Sequence, residues 1–142
     1  MSATAAPDYQ AAVLVGLDFG DPVYQEGVEE LVRLVESAGV PRHVTVRGRR
    51  QRPDPKFYCG SGKVAEIGQR VAALNAAWVI FNHNLSPAQE RNLEAELKCR
   101  VLDRTELILE IFSQRAQTHE GKIQVELAQL EHLSTRLVRG WT

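Results

Sequence analysis

Three groups of residues in this chain have the types and spacing that chemistry needs. Gly60-Ser61-Gly62-Lys63 precedes an apolar-periodic segment, and a glycine-rich turn at a helix start exposes backbone amides to an anion. The phosphate loop G-x-x-x-x-G-K-[ST] needs a glycine where Phe57 stands and a hydroxyl where Val64 stands. Without that hydroxyl there is no magnesium ligand. A proline-containing loop, not a buried strand, leads into the turn, so a plain loop-to-helix junction with Lys63 exposed is the favoured reading. The second group is Asn82-His83-Asn84, with Asp18 and Asp103 also expected at strand ends. Open α/β sheets bind ligands at that edge, and His83 beside a carboxylate would be an acid–base pair. Turn formation and helix capping account for Asn84, Ser86 and Asp103 equally well.

The third group is a run of cations. Residues 42–63 carry Arg42, Arg47, Arg49, Arg50, Arg52, Lys56 and Lys63 against Asp54 alone, a net +6. The whole chain carries −1, so the remainder holds −7 and the charge is segregated rather than diluted. Phe57 and Tyr58 lie inside the run, and cations interleaved with aromatics suit nucleic acid as well as a solvated loop. Cys59 and Cys99 stand forty residues apart with no His or Cys at ligand spacing, which reads as two reduced thiols. The N-terminus lacks the basic and apolar regions of a signal peptide, and no run approaches a membrane span; a cytoplasmic protein is expected.

The elements that must position these groups alternate strand with helix. Residues 1–10 read as a disordered tail. Residues 11–16 are a continuous apolar run, the mark of a strand covered on both faces. A helix from about Tyr24 turns Val28, Leu31, Val32 and Val35 inward and stops at Gly39 and Pro41. Val44 and Val46 alternate with polar residues, as in a half-exposed strand near an edge. A loop marked by Pro53 and Pro55 leads to a helix bearing Val64, Ile67, Val71 and Leu74. Residues 77–81 form a second buried strand. Ser86 with Gln89 makes a capping box with Pro87 at the first helical position, and Leu93 and Leu97 face inward. Val101 and Leu102 form a short last strand, and Asp103 with Glu106 caps the next helix. The pattern predicts an α/β fold over residues 11–116: a small, mainly parallel sheet of about four strands flanked by helices.

Residues 117–142 read as a long projecting helix. Ile123, Leu127, Leu130, Leu133 and Leu137 form one apolar stripe along a helix of roughly 33 Å at about 1.5 Å per residue. Such a stripe requires a partner helix, so this segment reads as half of a helical hairpin. Self-association of the chain through the uncovered stripe is an expectation. Arg136, Arg139 and Trp141 cluster at its far end, where phosphate contact and base stacking are available chemistries and helix-dipole pairing of the arginines is the plain alternative.

The run DRTELILEIFSQRAQTHEGKIQVELAQLEHLSTRL, with GSGKVAEI and NLSPAQERNLE in order before it, resembles the N-terminal region of HflX-type GTPases. The resemblance covers nearly all of the chain beyond its first ten or so residues. It implies an α/β domain followed by a helical hairpin and then a GTP-binding domain. It also implies a translation-associated GTPase that binds the large ribosomal subunit and splits or rescues ribosomes. The N-terminal domain and hairpin tip would contact ribosomal RNA, with Arg136, Arg139, Gly140 and Trp141 at the approach to the tip by resemblance; the charge pattern alone offers Arg47, Arg49, Arg50, Arg52, Lys56 and Lys63 as further contacts. GTP and Mg2+ would belong to the parent protein, because no Walker A, D-x-x-G or N-K-x-D motif occurs here. The alternative is a small-molecule-binding or enzymatic α/β domain using Asn82, His83 and Asp103. A third possibility is an interaction module whose arm pairs with another protein's helix.

Overall fold

β1 (Asp8–Asp18) sends alternate side chains into two separate cores. Ala11, Val13, Val15 and Leu17 enter one, while Ala12 and Leu14 enter the other. A strand whose run from residue 11 to 17 is buried at every position has no solvent face there and must lie inside a sheet covered on both sides. The computed structural model, which describes residues 6–116, places it there. β1 pairs in parallel with β2 (Arg42–Arg49) on one side and β3 (Ala76–Phe81) on the other, and β4 (Arg100–Leu102) adds beyond β3. The order is β2-β1-β3-β4, with Val13 opposite Val44 in one neighbour and Val79 in the other.

Moving one way from β1 to β2 and the other way to β3 puts successive crossovers on opposite faces. α1 (Tyr24–Ser37) and α4 (Arg104–Arg115) bury Leu31, Val35, Leu107 and Ile111 on the face of Leu14 and Ile80. α2 (Ser61–Leu74) and α3 (Pro87–Leu97) bury Val64, Ile67, Leu93 and Leu97 on the face of Val13 and Val79. The C-terminal ends of the strands and the N-terminal ends of the helices therefore share one edge. No helix among the described residues is long and apolar enough to cross a membrane.

The expected α/β sheet of four parallel strands is present. One boundary differs. Residues 8–10, expected in a disordered tail, belong to β1. Asp8 takes both the Nε and Nη2 of Arg42 at 2.9 Å, and the indole of Trp78 donates to the Tyr9 carbonyl at 3.1 Å. These polar and aromatic contacts extend the strand beyond its apolar run. The projecting helix, with its stripe from Ile123 to Leu137, lies outside the described residues.

Candidate nucleic-acid interface

The cation-rich segment is the C-terminal half of β2 and the loop that carries the chain across the sheet edge to α2. The loop is tied at many points. Asp54 and Tyr58 exchange both backbone hydrogen bonds, at 2.8 and 2.9 Å, and the Asp54 carboxylate accepts the amides of Lys56 and Phe57. α3 holds it from outside: the Gln89 amide donates to the Asp54 carbonyl at 2.8 Å, and the Asn92 amide to the Lys56 carbonyl at 3.1 Å. Closing so tight a turn forces Tyr58 to a φ of 66°, in the left-handed region.

The six cations expected in this segment divide into two groups. Arg49, Arg52 and Lys56 are exposed; the Arg49 side chain is 84% accessible and its one ion pair, to Asp18, is a loose 3.4 Å. Arg47 is exposed but lies over the Tyr24 ring, 5.9 Å from its centre, and bonds Gln25 at 2.8 Å. Arg50 turns inward and bridges the carbonyls of Arg52 and Cys59. Lys63, expected to be exposed, is not: its ammonium bonds the Arg47 carbonyl and Glu66, both at 2.8 Å, leaving 24% of the side chain accessible. Gly48 opens this path, since a Cβ there would stand 2.9 Å from Lys63 Cε. Arg136, Arg139 and Trp141 lie outside the described residues.

The aromatics of the run behave differently from the expectation that they interleave with the cations at the surface. Phe57 is buried in the α2–α3 core. Tyr58 packs against His83 at 5.0 Å and edge-on to Phe19 and Phe81, and burial pushes its phenol above the ordinary value. Sequence shows that rings accompany the cations but not which side of the loop they take.

α2 begins in a hollow of about 400 Å³ lined by Arg49, Arg50 and Gly60 to Lys63. Its N-cap, Gly60, has φ 86° and supplies no side-chain cap, so the amides of Ser61, Gly62 and Lys63 precede the first intrahelical bond uncapped. Those amides and Arg49 favour an anion. GTP with magnesium does not fit the turn: the Lys63 ammonium is occupied, and Val64, where a hydroxyl ligand would stand, is in the core.

On the other side of the edge a cleft of about 630 Å³ lies between α1 and the ends of β1 and β3. It contains Asn82 and His83, but not as an acid–base pair with Asp103. His83 Nε2 accepts the Leu17 amide at 2.9 Å, and burial, then the Arg104 charge, lowers its pKa to about 4. Asn82 gives its oxygen to Arg104 at 2.5 Å. Asp103 is buried and accepts the amides of Glu106 and Leu85, so it caps α4 and does not line the cleft. The catalytic alternative built on Asn82, His83 and Asp103 is thus not assembled. Both cysteines are partly or fully buried, and desolvation raises each thiol to about 11, far from a reactive thiolate.

Fold and edge together define a doubly wound α/β domain with a preformed basic loop and no assembled catalytic group among the described residues. Comparison with known proteins gives the family. Residues 25–113 match the family described as GTP-binding GTPase N-terminal, and residues 115–142 match the GTP-binding GTPase middle region. The chain is 56% identical over 133 residues to "GTPase HflX" of Escherichia coli K12, covering 94% of this chain and 31% of that protein. It is 46% identical over 130 residues to "GTPase HflX" of Lacrimispora saccharolytica, covering 91% and 31%. A GTP-binding protein from Sulfolobus solfataricus, solved in complex with GDP, superposes with a TM-score of 0.67 at 27% identity, over 92% of this chain and 39% of that one. The chain belongs to the HflX GTPase family, of which it is the N-terminal region. It spans about a third of the length of the relatives it matches.

Proposed function

We propose that this chain is the RNA-binding N-terminal domain of a cytoplasmic, translation-associated GTPase that acts on the large ribosomal subunit and splits or rescues ribosomes. Family membership supports the parent's GTPase activity, with GTP and Mg2+ held outside this chain. The observation that carries the RNA reading is the basic loop. Arg49, held only by its loose 3.4 Å pair with Asp18, stands with exposed Arg52 and Lys56 on one clamped segment, next to the uncapped start of α2. Arg47 borders them, while Arg50 and Lys63 shape the surface rather than contact RNA. Arg136, Arg139 and Trp141 supply a second contact near the hairpin tip.

Phosphate contacts made by exposed cations release counterions, so affinity falls steeply as salt rises. Filter binding of the chain to purified large subunits across a salt series tests this. The expected result is a steep salt dependence, flattened by Arg49→Ala with Arg52→Ala and unaffected by GTP. Affinity that ignores salt, or survives neutralising both the loop and arm cations, would defeat the reading.

A further inference from the structure

We propose that the 49–56 loop takes the phosphate backbone of double-helical RNA and not unpaired bases. This rests on the RNA-binding reading above and narrows its ligand. Unpaired strands are held by stacking bases on open aromatic faces, whereas RNA duplexes are held by shape and by phosphate and sugar contacts. Around this loop Phe57 is buried and Phe19, Tyr24 and Tyr58 are partly buried, so none presents a fully open face. Phe57 is 8% exposed, Tyr58 lies within the Phe19–His83–Phe81 cluster, and Tyr24 has a guanidinium over its face and its hydroxyl on the Gly16 carbonyl. The exposed rings among the described residues are elsewhere: Tyr9 at the opposite end of β1, Phe112 in the third turn of α4. The surface offers cations without a stacking platform.

The loop is also held in one shape. Asp54 accepts the amides inside the turn, Gln89 and Asn92 of α3 grip its outer carbonyls, and Arg50 spans its two ends. A duplex presents phosphates at fixed spacing, so cations on a fixed loop meet them without first being ordered. Asn92 is then a positioning residue: it touches no RNA, yet it sets where Lys56 stands. Alanine there removes the clamp without changing charge, and suits the helix better than asparagine.

The test is fluorescence anisotropy of the full chain with an RNA hairpin whose stem has about 16 base pairs, a length shape-reading proteins span, and with an unstructured uridine strand of equal length. The stem should bind at least tenfold more tightly, irrespective of its sequence. Arg52→Ala with Lys56→Ala should lower the slope of log affinity against log salt by about 2, roughly one unit per lost phosphate contact. Asn92→Ala should weaken stem binding about fivefold, because the released loop must then be ordered on binding, with the salt slope unchanged. Equal or tighter binding of the uridine strand, still salt-dependent, would overturn the duplex preference while leaving RNA binding intact. An unchanged stem affinity for Asn92→Ala would overturn the positioning role. No salt-dependent binding to either RNA would overturn the RNA reading itself.

Discussion

α2 and α4 both start at the same sheet edge, and they start in opposite ways. α4 is sealed: Asp103 accepts the Glu106 amide at 2.9 Å, and Glu106 returns a bond to the Asp103 amide at 3.0 Å. α3 carries the same reciprocal cap through Ser86 and Gln89. α2 has only Gly60, whose backbone no capping residue adopts easily. Of the four helix starts on this edge, those of α3 and α4 are sealed by reciprocal caps, α1 has no side-chain cap at Val23, and α2 is left open beside the exposed cations. The sealed side also contains the histidine that sequence offers as a catalyst, kept neutral and hydrogen-bonded. Chemistry-bearing residue types here hold the structure, while the poorest phosphate-loop match borders the surface that suits a polyanion.

The sharpest way to break this contrast is Asp103→Ala. It strands the buried Leu85 amide and the part-buried Glu106 amide and removes a cap, so the chain should lose about 3 kcal/mol in urea unfolding. A loss below about 1 kcal/mol would mean that Asp103 is free for another role. Acid acts on the same side. His83 has a folded pKa of about 4, below the unfolded 6.5, so the unfolded chain binds the proton first. Stability is then full above pH 6.5 and falls as pH drops toward 4, by on the order of 2 kcal/mol after allowing for partial solvent screening. His83→Gln should flatten the difference between urea midpoints at pH 7 and pH 4.5.

The open side should respond more in shape than in stability. Gly60→Ala places a Cβ 2.5 Å from Arg50 Nη1 at a φ reserved for glycine, which should cost about 2 kcal/mol and release the loop. Hydrogen exchange over residues 50–60 should accelerate, and an unaltered exchange pattern would show that Arg50 does not brace the loop. The smallest effect is Ser86→Ala, about 1 kcal/mol, with no change in RNA affinity. If it weakened RNA binding more than stability, the sealed helices would be part of the interface.

Most of this arrangement is legible in the sequence. Apolar runs located β1 and β3, period-two alternation located β2 near an edge, and two capping boxes located α3 and α4 by local chemistry alone. Other features depended on tertiary contact and left no local signal. β1 extends to Asp8 because of Arg42, thirty-four residues away. Phe57 and Tyr58 turn inward because of α2, α3 and the ring cluster, which no spacing announces. Nor does a count of cations tell Arg52, facing solvent, from Arg50 and Lys63, which serve backbone carbonyls.

The central place of β1 also fixes the order in which the domain is completed. It is made before the other three strands of this sheet, yet one edge waits for β2, with Val13 pairing to Val44, and the other for Val79. Contacts so distant in sequence slow folding, because a long loop must close before they form. During synthesis the most apolar segment of the chain therefore has one unpaired edge until β3 emerges. β1 is made before its two partners and is enclosed only after both, so its exposure time is set by the pace of translation.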